Sequence, residues 1–416
     1  MRQSQLFTKT RREAPRDEEV KNAKLLIRGG FINKEMAGVY DYLPLGLRVL
    51  KKIENIIREE MNAIGGQEVL MTTLQDPEIW KKTDRWDDEK VNNWFKTASK
   101  YGGEYGLGFT HEEPITNFLT NHVNSYKDLP FAVYQFQNKF RDEKRSKSGI
   151  LRGKEFLMKD LYSLHANDES LNEFYEKAAT AYENVFKKCG IGNITFKTFA
   201  SGGMFSKWSH EFQTICEVGE DTIYINENDG IAVNKEVYTD EVLTELKLNK
   251  DNLIEKQSIE VGNIFKLGAR FSEKLGLHVK NEKGESAPVI MGSYGIGLSR
   301  LMGAVVETLS DEKGIIWPAQ ISPFDVHIIE IAGNDSVIKE KAEQIYKKLS
   351  EKMKVLYDDR SLRAGEKFTD ADLLGIPKQI IVGENCIENN TVEIKDRKTG
   401  KAKSVNIDEI SSLMLV

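Results

Sequence analysis

The sequence predicts an α+β domain built on an antiparallel sheet, followed by a small α/β domain. The chain has 416 residues, enough for two to three domains of about 150 residues each. Its first three quarters contain β-like runs without the regular strand–helix alternation of a parallel sheet, and that alternation begins only after Trp317 and Pro318. We therefore expect a first domain over residues 1–312, a linker over 313–322 and a second domain over 323–416.

The individual elements follow from local patterns. Apolar residues recur at helical spacing from Leu50 to Met61, and Gly65 and Gly66 end that helix. In the first domain, the predicted strands are residues 131–136, 156–163 and 221–226, and residues 171–188 form one long predicted helix. In the second domain, the predicted strands are residues 326–331, 354–357 and 379–382, and the predicted helix is residues 335–351.

The composition favours a globular protein of the cytosol. Lys and Arg total 59 and Asp and Glu 65, so the formal net charge is −6, which argues against binding driven by bulk positive charge. No apolar run approaches the roughly 18 residues of a membrane-spanning helix, and the start of the chain lacks the apolar core of a secretory signal. Early arginines leave a mitochondrial presequence open, although the acids that follow them are atypical of such segments.

The cysteines indicate neither a metal site nor a disulfide framework. Cys189, Cys216 and Cys386 lie far apart in the chain. None belongs to a CxxC pair or to a Cys/His cluster with the spacing of a zinc site. We expect no structural zinc and no disulfides.

Residues 139–159 carry a strong local charge. The acids of this segment are Asp142, Glu143 and Glu155, and its bases are Lys139, Arg141, Lys144, Arg145, Lys147, Arg152, Lys154 and Lys159. We interpret it as two strands joined by a mobile basic loop that suits a polyanion such as triphosphate or RNA. A solvated basic hairpin would explain the charge equally well.

A glycine-rich segment precedes a predicted apolar helix over residues 301–306. Residues 292–300 read GSYGIGLSR, and glycine lets a ligand approach the backbone closely. Arg300, at the start of the helix, can hold a phosphate together with the helix dipole. The segment is not a Walker loop, and Gly295 and Gly297 could equally be packing glycines.

Acidic side chains stand beside a hydroxyl in residues 110–114, THEEP. Such a group suits a pocket for an ammonium ion. The local pattern also fits, and by itself favours, an exposed helix start with Thr110 as the N-cap and acids in the first turn.

Together these segments resemble the bacterial-type prolyl-tRNA synthetases, a family of class II aminoacyl-tRNA synthetases, over nearly the whole chain. Residues 38–46 (GVYDYLPLG) begin a segment similar to motif 1, about 38–76, and residues 110–113 resemble the TxE proline-binding loop. FRDEKRSKSGILRGKEFLMKD resembles motif 2, about 139–163, and GSYGIGLSR resembles motif 3, about 291–306. DDRSLRAGEKFTDADLLGIPKQIIVG is similar to the anticodon-binding domain of the family.

The resemblance implies catalytic roles for Arg141 and Arg300 in joining the proline carboxylate to the α-phosphate of ATP. Arg141 would neutralise the pentacovalent phosphate. Glu143 would meet the adenine edge and Phe156 its ring face, while Arg152 and Arg300 would hold the outer phosphates.

The implied proline site consists of Thr110, Glu112, Arg141, Asn263 and Ser293. Thr110 and Glu112 would accept hydrogen bonds from the secondary ammonium of proline, which has two N–H donors. No general base is evident for the later transfer to the ribose 3′-hydroxyl of tRNA, where effective concentration and charge neutralisation could suffice.

Residues 209–212, SHEF, resemble a further active-site strand of the family. His210 and Glu211 could form an acid/base pair, but only a loose spacing supports that role. We favour a structural or substrate-positioning role for both.

The chain departs from the family in the region between motifs 2 and 3. Relatives usually carry a large editing domain there, whereas only a short remnant at about residues 237–258 is present. So short a segment cannot bury a hydrolytic core. We expect no cis-editing of Ala-tRNA(Pro), and a separate trans-acting deacylase is implied because a proline pocket excludes the smaller alanine poorly.

Three single residues also depart from the family pattern. Asn263 replaces a histidine of the proline site and cannot titrate. Thr72 stands where motif 1 usually has a proline that shapes the dimer contact, and Ser293 replaces a common cysteine in motif 3. None of these changes removes an arginine or a TxE residue, so we expect catalysis.

In the tail domain, four residues are candidates for reading the UGG anticodon, because guanine edges favour Arg and Lys contacts. They are Asp359, Arg360, Arg363 and Lys367. An internal ion pair between Asp359 and Arg360 is an equally good interpretation.

The resemblance implies a cytosolic, homodimeric enzyme that uses ATP and Mg²⁺ to join L-proline to the 3′-terminal adenosine of tRNA(Pro). The Mg²⁺ ligands stay unassigned. Two alternatives remain at this stage: a synthetase for another amino acid, because Asn263 alters the pocket, and a catalytically silent paralogue that binds tRNA or regulates another enzyme. Intact Arg141, Glu143 and Arg300 argue against silence.

Overall fold

The computed structural model describes residues 1–144, 148–203, 207–226, 230–281 and 283–410. The helices of these residues, in chain order, are α1 (Lys21–Arg28), α2 (Pro44–Ala63), α3 (Pro77–Lys82), α4 (Glu112–Leu119), α5 (Asp168–Lys188), α6 (Asp240–Glu245), α7 (Arg270–Leu275), α8 (Leu298–Thr308), α9 (Ser336–Ser350), α10 (Ala364–Leu374) and α11 (Asn385–Glu388). The predicted long helices correspond to α2, α5, α8 and α9.

The strands of the same residues are β1 (Ile32–Met36), β2 (Val39–Tyr42), β3 (Gly66–Glu68), β4 (Leu74–Gln75), β5 (Lys96–Ala98), β6 (Glu104–Leu107), β7 (Phe131–Phe140), β8 (Glu155–His165), β9 (Thr195–Ser201), β10 (Trp208–Ile215), β11 (Asp221–Asn226), β12 (Ile231–Asn234), β13 (Ile254–Gly268), β14 (His278–Lys280), β15 (Ser286–Pro288), β16 (Ile290–Gly297), β17 (Val326–Glu330), β18 (Val355–Asp358), β19 (Lys378–Val382), β20 (Thr391–Asp396) and β21 (Ala402–Asn406). All the strands predicted above are present.

A nine-stranded sheet dominates the first part of the chain. Its order is β10-β9-β12-β11-β13-β16-β8-β7-β3, and β10 also pairs with β13. Most neighbours are antiparallel, and the parallel pairs are β12 with β9 and β3 with β7. The predicted α+β class with an antiparallel sheet is confirmed.

The tail contains a smaller, mixed sheet of order β18-β17-β19-β20-β21. β17 runs parallel to both its neighbours, as the predicted α/β pattern requires. β20 and β21 add an antiparallel hairpin that we did not predict. In the hydrophobic core of this tail sheet, Val326, Ile328 and Ile380 pack against Ile338 and Ile345 of α9.

The described chain divides into two compact units whose limits differ from the expected domain boundaries. One unit comprises Met36–Tyr40 and Ile53–Ala304, and it contains the nine-stranded sheet. The other comprises Met1–Glu35, Asp41–Lys52 and Val305–Val416. The first 35 residues therefore group with the tail, whereas the sequence placed them in the first domain.

Hydrogen bonds explain this grouping within the second of these units. Glu307 of α8 accepts from the backbone N–H and the side-chain amide of Asn22 in α1, at 2.7 and 2.8 Å. The backbone N–H of Tyr357 in β18 donates to the carbonyl of Met1 at 2.9 Å. These contacts are far apart in sequence, so no local pattern reveals them.

Gly46 in α2 provides a test of backbone packing. A Cβ at this position would lie 2.1 Å from the carbonyl oxygen of Phe31. We expect Gly46→Ala to destabilise the protein by about 1–3 kcal/mol, although alanine favours an isolated helix by about 1 kcal/mol. Urea unfolding of the full chain measures the change.

Gly383→Ala is the matched control, because the nearest atom to its added Cβ is 3.9 Å away. Equal unfolding midpoints for the two variants would contradict the close approach at Gly46.

Candidate active site

A cleft of about 540 Å³ lies at β8, β13 and β16, beside the segment that joins β7 to β8. It brings together predicted site residues from the basic segment 139–159, from the glycine-rich segment 292–300 and from β13, whereas none of residues 110–114 lines it. Those that line it are Arg141, Glu143, Arg152, Phe156, Asn263 and Arg300. The register of the strands explains the convergence, because Asn263 pairs with Gly295, and Gly297 with Met158.

Gly295 is a close-packing glycine in this cleft. A Cβ there would lie 2.6 Å from Cε of Met158 and 2.9 Å from Oδ1 of Asn263. At Gly297 the nearest atom would be 3.4 Å away. The two interpretations of the glycine-rich segment therefore combine at Gly295, which packs tightly and also lines the cleft.

Arg141 lies between two aromatic rings. Its guanidinium carbon is 5.1 Å from the ring centre of Phe109 and 5.2 Å from that of Phe156, within the range of cation–π attraction. Its Nε is buried and has no hydrogen-bond partner among the described residues. Burial, followed by the charge of Arg300, lowers the pKa of Arg141. A cation held in this way is suited to an anion.

Arg300 is held by β13 and by the segment before β8. Its Nε donates to the carbonyl of Leu151 at 2.9 Å, and its Nη1 donates to the carbonyl and the carboxylate of Glu260 at 3.0 and 3.2 Å. The other oxygen of Glu260 accepts from Nδ2 of Asn263 at 2.7 Å. Glu260 thus orients two predicted site residues, and sequence analysis missed it as a site residue.

Glu143 and Arg152, for which the resemblance implies different parts of ATP, contact each other. Nε and Nη2 of Arg152 each lie 2.8 Å from Oε2 of Glu143. Nη1 of Arg152 donates to Glu220, a residue that sequence analysis did not select. The Arg152 side chain is 41% exposed, so a ligand can reach it.

The TxE residues lie next to motif 3. Oγ1 of Thr110 donates to Oε2 of Glu112 at 2.6 Å, and Oγ of Ser293 donates to Oε1 of the same carboxylate at 3.2 Å. α4 begins at Glu112, its N-cap position is His111, and Glu112 and Glu113 are both buried. The alternative of an exposed helix start capped by Thr110 is therefore wrong.

A buried ion pair between Arg85 and Glu113 stabilises the TxE loop. Nη1 of Arg85 lies 3.0 Å from both oxygens of Glu113 and 3.7 Å from Glu112. Thr83 also donates to Glu113, at 2.8 Å. Burial raises the pKa of Glu113 to about 7, even though Arg85 opposes that shift. No motif pointed to Arg85.

A buried polar network joins the TxE loop to β7 and β8. Nζ of Lys139 lies 2.6 Å from Nδ1 of His111 and 2.9 Å from Asp160. Nε2 of His111 lies 3.1 Å from the carbonyl of Thr72. Burial lowers the pKa of His111 to about 4, so the ring is neutral: Nε2 carries the proton toward Thr72, and Nδ1 accepts from Lys139.

This network corrects the interpretation of the basic segment. Lys139 and Lys159 are both fully buried, so neither charge is available to a polyanion. Nζ of Lys159 instead donates to the hydroxyl of Tyr182 and to the carbonyl of Tyr294. The middle of the predicted mobile loop, residues 145–147, lies outside the described residues.

His210 and Glu211 have different partners. Nδ1 of His210 lies 2.8 Å from the hydroxyl of Tyr175. Glu211 accepts from Gln213 at 2.9 Å and from Asn234 at 3.1 Å. Burial, with the neighbouring charge of Glu260, raises the pKa of Glu211 to about 8. The structure gives no contact that would make them an acid/base pair.

The tail candidates for anticodon reading have different exposures. Nζ of Lys367 is buried and donates to the carbonyls of Glu330 and Asp358. The guanidinium of Arg360 donates two hydrogen bonds to Asp358, at 2.8 and 2.7 Å, and its backbone N–H a third, at 3.2 Å; its partner is thus not Asp359, as the alternative interpretation held.

Asp359 contacts the start of the chain. It accepts from the backbone N–H and the hydroxyl of Ser4, at 2.9 and 2.7 Å. Arg363 is exposed.

Comparison with known proteins decides the family. A profile of the "tRNA synthetase class II core domain (G, H, P, S and T)" matches residues 95–309, and one of the "Anticodon binding domain" matches residues 325–415. A proline–tRNA ligase of Rickettsia rickettsii (strain Sheila Smith) is 39% identical over 425 aligned residues, which cover 99% of each chain. This chain belongs to the proline–tRNA ligase family.

A ligase of this family from Bacillus velezensis is 33% identical over an alignment of 564 residues that covers all of both chains. Since this chain has 416 residues, it lacks a large insertion, as the sequence predicted. The structure has only a short stretch between β12 and β13, and that stretch contains α6.

Solved structures of the family share the fold. A prolyl-tRNA synthetase from Cryptosporidium parvum, complexed with halofuginone and AMPPNP, superposes with a TM-score of 0.77 at 17% identity, over 95% of this chain and 76% of that one. The class II architecture and the membership among class II synthetases are therefore confirmed. No helix of the described residues is long and apolar enough to cross a membrane.

Proposed function

We propose that this chain is a proline–tRNA ligase that forms prolyl-adenylate from L-proline and ATP and transfers proline to the 3′-terminal adenosine of tRNA(Pro). Family membership supports the reaction, and the state of Arg141 supports the site. Arg141 is partly buried, its Nε is fully buried and unpaired, and a second arginine lies close by, so an anion would compensate the desolvation of its charge. The α-phosphate of ATP meets that need.

In the activation step, a carboxylate oxygen of proline bonds to the α-phosphorus and pyrophosphate leaves. Negative charge builds up on the phosphate oxygens, and Arg141 is placed to stabilise it. Phe156 packs against Arg141 and lines the cleft, so an adenine ring can stack on it while Glu143 accepts from the exocyclic amine. Arg152 and Arg300 hold the outer phosphates, and the contact of Arg152 with Glu143 opens when ATP binds.

Proline binds where Thr110, Glu112 and Ser293 meet. Glu112 is buried and accepts hydrogen bonds from both neighbouring hydroxyls. Its carboxylate can also accept from the proline ammonium, whose charge it neutralises. Arg141 reaches the proline carboxylate, and Asn263 lines the other side of the cleft.

We include Mg²⁺ as the metal of the reaction. The described residues contain no group of three or more acidic, His or Cys side chains arranged as a metal site, but Mg²⁺ bound with ATP needs only one or two carboxylates. Glu260 lines the cleft and could supply one of them. The ion would neutralise phosphate charge beside Arg300.

In the tail we propose that the anticodon is read at Arg363, the exposed member of the four candidates. Arg360 and Asp359 shape the surface through their internal contacts, and Lys367 is buried and donates to two backbone carbonyls, so a base cannot reach it. The boundaries at 312 and 323, and a cytoplasmic location, are part of the same proposal.

The first test is ATP–pyrophosphate exchange with proline, alanine, threonine and serine in parallel. We expect proline to stimulate exchange most strongly and Arg141→Ala to reduce it at least about 100-fold, the usual loss when a group that stabilises transition-state charge is removed. Arg16→Ala, at an exposed arginine, is the matched control.

Within the same assay, Glu112→Gln keeps the shape of the pocket and removes its charge. It should raise the KM for proline more than the KM for ATP. Exchange absent with all four amino acids would favour the silent paralogue, and exchange driven chiefly by another amino acid would overturn the choice of proline.

We propose that Ala-tRNA(Pro) is not edited by this chain. The stretch between β12 and β13 is too short to bury a hydrolytic core, so a separate deacylase has to correct mischarging. The purified protein should leave Ala-tRNA(Pro) to hydrolyse at the rate seen in buffer. Turnover well above that rate would contradict the proposal.

We also propose a homodimer formed through the motif 1 segment. Leu70 and Leu74, which flank Thr72, are 77% and 57% exposed, and a second copy would cover them. Sedimentation at micromolar concentration should show a species of twice 47.3 kDa, and Leu70→Lys should shift it toward the monomer. Ile387→Lys, at an exposed residue of the tail, is the control, and a 47.3 kDa species for the unmodified chain would refute the dimer.

A further inference from the structure

A basic groove lies within the compact unit that contains the tail sheet. It encloses about 1,180 Å³. One wall is formed by residues 9–12 and Arg28 of α1, and the other by Arg360 and the first turns of α10. None of the roles assigned above uses residues 9–12 or Arg28.

The cations of this groove outnumber its acids. Lys9, Arg11, Arg12 and Arg28 line it together with the acids Glu366 and Asp370. Asp370 is paired with Arg360 at 2.9 Å, and Glu366 lies 3.5 Å from Arg12.

Three of the five cations that line the groove, counting Arg360, have no carboxylate partner among the described residues. Lys9, Arg11 and Arg28 form no ion pair with a carboxylate of the described residues. Lys9 instead donates to the carbonyl of Leu6, and Arg28 to that of Arg11. A chain with a net charge of −6 therefore concentrates uncompensated positive charge here.

Contacts with other parts of the same compact unit hold the N-terminal segment that carries residues 9–12 in place. Ser4 is bonded to Asp359 through its backbone and its hydroxyl. Arg2 reaches Glu343 at 2.5 Å, and the backbone N–H of Arg11 donates to the carbonyl of Arg28 at 2.8 Å. The backbone that carries these cations is thus anchored to α1, α9 and the end of β18 before any ligand binds.

We propose that this groove binds the sugar–phosphate backbone of the tRNA substrate beside the anticodon contacts, an inference that rests on the proposed function. Guanidinium groups bind phosphate oxygens through paired N–H donors. The matched anticodon-binding profile, residues 325–415, includes α10, so one wall of the groove belongs to the part of the chain that faces this RNA. The other wall, residues 9–12, lies outside both matched profiles.

The test uses the full chain with Arg11→Gln and Arg12→Gln combined. Both side chains are exposed, so the fold should be unaffected, which circular dichroism checks. We expect the affinity for a tRNA(Pro) transcript to fall roughly tenfold and the slope of log K against log salt to lessen by about 1.8, as for two lost phosphate contacts. Proline-dependent ATP–pyrophosphate exchange, which needs no tRNA, should not change.

The matched control is Lys177→Gln combined with Lys187→Gln, which removes the same charge from exposed positions of α5. An equal loss of affinity in the control would overturn the proposal, because bulk charge would then explain it. Unchanged tRNA affinity and salt slope in the Arg11/Arg12 variant would overturn it as well.

Two further measurements separate this proposal from the proposed anticodon contact at Arg363 and from the proposed function. The groove variant should weaken binding equally for transcripts with altered anticodons, whereas Arg363→Gln should change the discrimination among them. A groove variant that changed this discrimination would contradict a backbone contact. If the unmodified chain shows exchange and the groove variant keeps its tRNA affinity, the groove proposal alone fails; absent exchange would count against the proposed function.

Discussion

The contact between Lys139 and Asp160 is the interaction on which the candidate active site depends. Both groups are buried, where removing one partner of an ion pair typically costs about 3–5 kcal/mol. Lys139 ends its strand beside the TxE loop and reaches His111, while Gln135 and Tyr162 donate to the second oxygen of Asp160, each at 3.0 Å. Two strands and the loop that carries Glu112 are thus fixed by one buried polar network.

The arginines in and near the cleft differ in how far carboxylates compensate their charge. Arg85 has both oxygens of Glu113 within 3.0 Å, and Arg300 is held by Glu260. Arg141 has aromatic rings on its faces and an unpaired Nε. In the proposed function, a phosphate of ATP would compensate this arginine, which has no carboxylate partner among the described residues.

A comparable arrangement lies in the unit that holds the tail sheet. Asp359 accepts hydrogen bonds from Ser4 and Arg2, and Asp358 accepts from Arg360. Among the described residues, the side chains of Lys9 and Arg28 each donate to a backbone carbonyl, and that of Arg11 has no hydrogen-bond or ion-pair partner. The acids of the tail therefore position the N-terminal segment, while Lys9, Arg11 and Arg28 of the same unit have no carboxylate partner among the described residues.

The sequence by itself determined the order and wording of the motifs, because their residues stand in the chain whatever the fold, and the family resemblance of those motifs implied the roles of Arg141, Glu112 and Arg300. It also determined the strands and helices with strong periodicity and the missing insertion. Burial was decided only by the tertiary structure: Lys139, Lys159 and Lys367 look like surface charges in the sequence, yet each lies in the interior with polar partners. Contacts such as Arg85 with Glu113, or Ser4 with Asp359, join segments distant in the chain. No local pattern encodes them, because they exist only after the backbone has brought the partners together.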